Sequence, residues 1–243
     1  MFFCDRNPLI LERKLKSMSD IKKYAVIVAG GRGLRMGAAV PKQFLPILGK
    51  PLLCYAIQAF AATIRGIHII LVLPSDQLNS AKTVLKSYLG NIEVTTVAGG
   101  ETRYESVQNG LKKVHNDGVV FIHDGVRPLI SQDLIQRCYQ QAIEKGSAIP
   151  VIPVMDSIRI LENGSSHPIN REHLRIVQTP QTFMTNIILP AFQQEYQASF
   201  TDEANVVEAQ GAPVHLIDGA LENIKVTTPE DMLIAETLLK ASV

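Results

Sequence analysis

The chain is poor in the features that mark several large classes of protein. It has three cysteines, Cys4, Cys54 and Cys138, far apart and odd in number. No CxxC pair or metal-ligand spacing arises among them. That argues against a disulfide framework or a zinc site and leaves buried or free thiols in a reducing compartment, the cytoplasm. There is no excess of charge: 24 Lys and Arg stand against 23 Asp and Glu. Nothing electrostatic then favours nucleic acid or an anionic membrane as a partner. No apolar run approaches the roughly 18 residues that a membrane span needs. Met1 to Lys16 holds a short apolar patch, but its cations follow the patch, the reverse of a secretory signal. Residues 1–22 are expected to form a poorly ordered extension, with Met18 a candidate start. No internal repeat and no linker is visible, and no Ser-His-Asp or Cys-His arrangement for nucleophilic catalysis.

What is present is 243 residues, 46% of them hydrophobic, enough for one large α/β domain with a sizeable core. Apolar, β-branched runs alternate with amphipathic stretches. Strands are expected at Tyr24–Ala29, Ile67–Leu73, Ile92–Ala98, Val119–His123 and Ala148–Val154. Helices are expected at Pro51–Thr63, Asp76–Tyr88, Arg103–His115 and Gln132–Lys145. Continuous apolar strands are buried on both faces, which implies a mostly parallel sheet flanked by helices. From Met155 to Gln178 the pattern breaks around Glu162-Asn163-Gly164-Ser165-Ser166. Two strand-like pieces, Ser157–Leu161 and Leu174–Gln178, suggest a protruding hairpin. Such an arm is marginal alone and usually packs on something, often a second subunit. Helices near Asn186–Gln197 and at Asp202–Ala209 and a strand at Pro213–Ile217 follow. A last helix opens with Thr228 as N-cap, Pro229 at its first position and Asp231 three after the cap.

The densest chemical signal is Val26 to Gln43. An apolar strand ends in Ala29-Gly30-Gly31-Arg32-Gly33, followed by Arg35 and Lys42. Glycines let the backbone turn and approach a ligand, and exposed amides with cations suit several phosphates at once. The third glycine of a dinucleotide fingerprint falls on Met36, and Gly-x-x-x-x-Gly-Lys-Ser/Thr is absent. Dinucleotide cofactors and P-loop chemistry are therefore disfavoured, and a nucleoside triphosphate remains. Attack at a phosphorus adds charge to its equatorial oxygens, which two fixed cations stabilise more in the transition state than in the ground state.

Two further turns fall at the same carboxyl edge of the sheet, where open α/β sheets bind ligands. Gly99-Gly100-Glu101-Thr102-Arg103-Tyr104-Glu105-Ser106 runs into a helix, and Gly100 and Ser106 are placed to read a base. His123-Asp124-Gly125-Val126-Arg127-Pro128 ends the fourth strand. Asp124 suits Mg²⁺, directly or through water, since that ion uses only one or two carboxylates. Arg127 either serves a ligand or pairs with Asp124, and His123 reads as a hydrogen-bonded core group. Asp156-Ser157, Asn170-Arg171 and Lys225 together suit a second, phosphorylated substrate.

Taken in order, these segments resemble the 2-C-methyl-D-erythritol 4-phosphate cytidylyltransferase family from about Lys23 to the C-terminus. Gln178-Thr179-Pro180-Gln181, Thr201-Asp202-Glu203-Ala204 and Asn223-Ile224-Lys225-Val226-Thr227-Thr228-Pro229-Glu230-Asp231 extend the match. The resemblance implies a Rossmann-like nucleotidyltransferase fold, with residues 23–243 as one domain and an arm at about 155–178 that joins a homodimer. It implies CTP and a polyol phosphate as substrates and Mg²⁺ or another divalent ion. Arg35 and Lys42 match the residues that stabilise the α-phosphorus; Arg171 and Lys225 match those that position the sugar phosphate. On the CTP side it points to Ala29, Gly30, Gly31, Gly33, Gly100, Glu101, Arg103, Ser106 and Asp124. On the polyol side it points to Arg127, Ser157 and Thr179. The chain departs from the family pattern at Gly30, at Glu101 where Asp is usual, at Gly125-Val126, and at Ser157 where Thr is common. Ribitol 5-phosphate, a UTP-using sugar nucleotidyltransferase and a non-catalytic nucleotide-binding module are the competing readings.

Overall fold

A computed structural model describes residues 21–30, 41–115 and 117–241. The expectations for residues 1–20, for the thiol of Cys4 and for Gly31, Gly33 and Arg35 lie outside these residues. The chain opens with β1 (Lys22–Val28), then a small hairpin of β2 (Pro46–Ile47) and β3 (Lys50–Pro51), and α1 (Leu52–Thr63). Next come β4 (His68–Leu73), α2 (Leu78–Leu89), β5 (Val94–Ala98), α3 (Arg103–Leu111), β6 (Gly118–Asp124) and α4 (Gln132–Lys145). β7 (Ser147–Pro153) leads into the arm, β8 (Ile158–Glu162) and β9 (Ser165–Ile169). The chain returns through β10 (Arg175–Val177), β11 (Gln181–Met184), α5 (Thr185–Ala191) and α6 (Glu203–Ala209), and ends with β12 (Leu216–Asp218) and α7 (Pro229–Ala241).

The main sheet has the order β10-β7-β11-β6-β1-β4-β5, with β12 also paired to β7. β1 runs parallel to both β4 and β6, and β4 parallel to β5. Only β10 and β11 run against the rest. Strand β1 shows why the sheet sits in the middle of the protein. Ala25 and Ile27 face α1, α2 and α4, while Tyr24 and Val26 face α3, α5 and α6. Every residue of β6 is buried. This is the two-sided burial expected of continuous apolar strands.

The order also fixes where a ligand fits. The connections from β1 lead outward through β4 to β5, and the chain then crosses back to place β6 on the other side of β1. A crevice opens at such a reversal, at the carboxyl ends of the two strands. Val28 and Asp124, paired in register, are the last residues of β1 and β6.

Two expectations are corrected. The arm's second strand is Ser165–Ile169, not Leu174–Gln178. Asn163 and Gly164 both take positive φ, 50° and 77°, which makes a two-residue turn that sends the chain straight back. Residues 175–177 instead join the main sheet beside β7. β11, which the sequence reading passed over, inserts antiparallel between β6 and β7. The helix expected to reach Gln197 stops at Ala191, just past Pro190. The last helix starts as expected: Asp231 N donates to Thr228 Oγ1 at 3.3 Å, and the Asp231 carboxylate accepts from Thr228 N at 2.8 Å.

Helix α3 lies close on the sheet because Gly110 has no side chain. A Cβ there would stand 2.6 Å from Val26 Cγ1 and 3.0 Å from Val72 Cγ2. Gly110→Ala should therefore destabilise by up to about 2 kcal/mol, an overpacking cost of about 1–3 kcal/mol outweighing the roughly 1 kcal/mol gain in helix propensity. Denaturant unfolding checks this; a stabilised variant would show that α3 has room to move.

Candidate active site

The crevice between β1 and β6 is a cavity of about 730 Å³, within the usual range for a small-molecule site. Four strand ends, those of β1, β4, β5 and β6, form its floor through three backbone links. Ala29 N donates to Val72 O at 2.9 Å, Gly99 N to Leu73 O at 2.8 Å and Gly125 N to Val28 O at 2.9 Å. Ala29, Gly30, Lys42, Gly100, Glu101, Arg103, Ser106, Asp124 and Lys225 all line the cavity. These residues, scattered over nearly two hundred positions, are those that the sequence reading singled out.

The β5–α3 turn is held by its own side chains. Thr102 caps α3 and Glu105 reaches back, accepting from Thr102 N at 3.2 Å. Ser106 Oγ accepts from Gly100 N at 3.2 Å, which fixes the glycine turn against the cavity. Lys42 follows Pro41 in a short 3-10 turn, and its Nζ lies 3.5 Å from Val226 O. Val226 N in turn donates to Val126 O at 2.9 Å, joining the loops that carry Lys225 and Asp124.

Asp124 is the electrostatic centre. It is 6% exposed and faces three cations: Lys225 Nζ at 3.1 Å, Arg127 Nε at 3.3 Å and an Arg103 nitrogen at 3.5 Å. Burial alone pushes a carboxyl up, but Arg103, Lys225 and Arg127 outweigh it and hold Asp124 well below the usual carboxylate range. It is therefore ionised at any pH where the protein would work. One such carboxylate, with no cluster of three His, Cys, Asp or Glu among the described residues, fits a divalent ion carried in by substrate phosphates rather than a resident metal.

Arg127 and Thr179 were expected at the polyol phosphate, but both are buried and lie off the cavity lining. Arg127 donates to Asn223 O at 2.7 Å as well as pairing with Asp124. Thr179 Oγ1 accepts from Asp124 N and contacts His123 Nδ1, both at 3.1 Å. Both hold Asp124 from behind. Ser157 and Arg171 are exposed on the arm and do not line this chain's cavity. Arg171 donates to Met155 O.

His123 is wholly buried, as expected of a core group. Its Nε2 lies 3.3 Å from Arg127 O, which can only accept, so the proton sits on Nε2 and the Thr179 hydroxyl donates to Nδ1. Burial lowers its pKa to about 4, Arg127 adding to burial and Asp124 opposing it. Cys54 and Cys138 are buried thiols, pushed up to about 11 and about 12 by burial.

Several functional positions had been missed. Asp76 lines the cavity three residues beyond β4; it stands at a carboxyl strand end, so the edge rule was enough to find it. Gln43 also lines the cavity, is 1% exposed and donates to Gln77 at 2.8 Å. Glu203, wholly buried, takes the Arg103 guanidinium in a two-pronged pair, the second bond at 3.1 Å. These last two stand in motifs already quoted from the sequence, but nothing adjacent to them indicates their partners.

Comparison with known proteins points to one family. The family model for 2-C-methyl-D-erythritol 4-phosphate cytidylyltransferase matches residues 23–241. The chain belongs to this family. A cytidylyltransferase of that name from Bacteroides fragilis is 47% identical over 217 residues, covering 89% of this chain and 99% of its own. One from Phocaeicola vulgatus is 47% identical, covering 90% of this chain and 100% of its own. Among solved structures, the Thermus thermophilus cytidylyltransferase aligns with a TM-score of 0.74 at 30% identity, over 90% of this chain and 100% of its own. The Anaerococcus prevotii 4-diphosphocytidyl-2C-methyl-D-erythritol synthase aligns with a TM-score of 0.78 at 27% identity, over 93% of this chain and 99% of its own. The nucleotidyltransferase fold that the cytidylyltransferase motifs implied is the fold observed.

The neutral His123 generates a test. The unfolded chain binds a proton near pH 6.5 that the folded chain refuses until about pH 4. The unfolded state holds more protons in that window, so stability is full above it and falls as the pH drops through it. Between pH 7 and 5 this group should remove about 2 kcal/mol. Denaturant unfolding of His123→Gln should show a pH dependence weaker by that amount; an unchanged dependence would contradict the neutral assignment.

Proposed function

We propose that the chain couples CTP to 2-C-methyl-D-erythritol 4-phosphate, giving 4-diphosphocytidyl-2-C-methyl-D-erythritol and pyrophosphate in non-mevalonate isoprenoid precursor synthesis. The observation that carries this is the gathering of Lys42, Arg103, Lys225 and Asp124 around one cavity at the ends of β1 and β6. The nucleophile is a phosphate oxygen, largely ionised near neutral pH because its second pKa is about 6. It bonds to the α-phosphorus as the bond to the bridging oxygen breaks, and pyrophosphate leaves with that electron pair. No proton has to be abstracted, so the enzyme needs no general base. His123, buried and neutral, has no part in the chemistry.

Catalysis is then placement and charge neutralisation. Lys42, with Arg35 seven positions before it in sequence, neutralises the charge that grows on the α-phosphorus oxygens. Ala29, Gly30, Gly31, Gly33, Gly100, Glu101, Arg103 and Ser106 hold the nucleotide. Lys225 binds the polyol phosphate. A divalent ion, Mg²⁺ in our reading, would be held by Asp124 and the triphosphate, where it would neutralise phosphate charge. Ser157 and Arg171 serve the site of a second subunit in a homodimer joined by the arm. Met155 and Leu161, 71% and 81% exposed on that arm, support such a contact. The buried thiols Cys54 and Cys138 suit a cytoplasmic location.

Pyrophosphate release from CTP and Mg²⁺, with each polyol phosphate offered in turn, tests the proposal. Methylerythritol phosphate should support turnover and ribitol 5-phosphate should not. Release with ribitol 5-phosphate alone would overturn the substrate, and CTP binding without release would overturn the activity. In the same assay Lys42→Ala should lower kcat by roughly a hundredfold or more, the scale of losing one transition-state donor.

A further inference from the structure

The described residues place one fully buried acid against the cavity's arginine. Glu203 is 0% exposed and stands at the first position of α6. Its two carboxylate oxygens take the two terminal nitrogens of Arg103, one hundred positions away in sequence. The same guanidinium lies 3.5 Å from Asp124 and lines the cavity with 31% of its side chain exposed. Arg103 thus bridges an acid outside the cavity lining to the acid on its floor.

Stability alone is a weak reason for this arrangement. Desolvating a buried pair costs about as much as the attraction returns, and apolar residues of similar size often serve as well. Nor does the start of α6 need Glu203 to hold it. Asp202 caps the helix, accepting from Asn205 N at 2.9 Å. Gln181 of β11 clamps the same turn, donating to Asp202 at 3.1 Å and accepting from Ala204 N at 2.8 Å. Those contacts aim the Glu203 carboxylate at Arg103. Without a partner behind it, the guanidinium fork would close two-pronged on Asp124, 3.5 Å away, and withdraw both groups from the ligand.

We propose that Glu203 is a positioning residue for CTP: it holds Arg103 so that the outer guanidinium N–H groups face the nucleotide and Asp124 stays open. Glu203 itself touches no substrate. Its bonds go to Arg103 and not to Lys225, so it acts on CTP and leaves the polyol phosphate site alone. This rests on the activity proposed above.

Glu203→Gln keeps the size and loses the charge. Its KM and calorimetric Kd for CTP should rise roughly tenfold to hundredfold, the scale of one charged hydrogen bond, with the KM for methylerythritol phosphate within about twofold. Arg103→Lys keeps the charge but has no fork, and should shift CTP binding alike. The double variant should be no worse than the poorer single one, since the two act as one unit. Additive effects, or a wild-type CTP Kd in either folded single variant, would overturn the proposal. So would an equal weakening toward both substrates. Should Glu203→Gln not fold, Glu203→Asp, which keeps the charge but shortens the reach, decides: an unchanged CTP Kd rejects the proposal, and a raised CTP Kd with an unmoved KM for methylerythritol phosphate upholds it. Wild-type protein that releases no pyrophosphate would instead overturn the activity, whereas wild-type turnover with unmoved CTP binding in the variants sinks only the positioning role.

Discussion

A single buried carboxylate, that of Asp124, governs the architecture of this site. A charge left at the end of a fully buried strand costs several kcal/mol unless it is paired. Here the pairing draws in four separate parts of the chain. Arg127 comes from the same loop, Arg103 from the start of α3, Lys225 from the loop before α7, and Thr179 from the turn before β11 supports the backbone. Satisfying one charge therefore assembles the cavity.

The segment Gln178 to Gln181 shows how economically this is done. Gln178 bonds both ways with Ala220, at 2.8 and 3.1 Å, and so steadies the loop that leads to Lys225. Thr179 holds Asp124, and its carbonyl accepts from Asn223 Nδ2 at 2.8 Å. Gln181 clamps α6, from which Glu203 reaches Arg103. Few of these groups touch the cavity, yet each fixes the direction of one that does. Charge set in place before substrate arrives need not reorganise during reaction, which is how such sites lower a barrier without acid–base chemistry.

Much of the fold was legible because its signals are local. Apolar strands such as Ile69–Val72 and the glycine turns at their ends are written in adjacent residues. So was the cavity, since Gly30, Gly100 and Asp124 all follow strands that end at one edge of a parallel sheet. What was not legible depends on distant partners. Four residues, Gln181–Met184, become a central strand only because β6 and β7 leave a gap for them. Arg127 and Thr179 look like ligand-binding residues in a motif, and only their bonds to Asp124 and Asn223 turn them inward. Glu203 gave no sign of its partner, because nothing near position 203 indicates a guanidinium from position 103. The arm's strand pairing was the instructive error: Asn163-Gly164 states a tight turn locally, and that rule outweighed the apolar look of residues 174–178.

The central claim is that the Asp124 charge organises the catalytic cavity. Steady-state turnover of Asp124→Asn with CTP, Mg²⁺ and methylerythritol phosphate tests it most directly. The account predicts a fall in kcat/KM of roughly a hundredfold or more, in protein that still unfolds cooperatively, because one removed partner strands three cations. Wild-type turnover in that variant would contradict it.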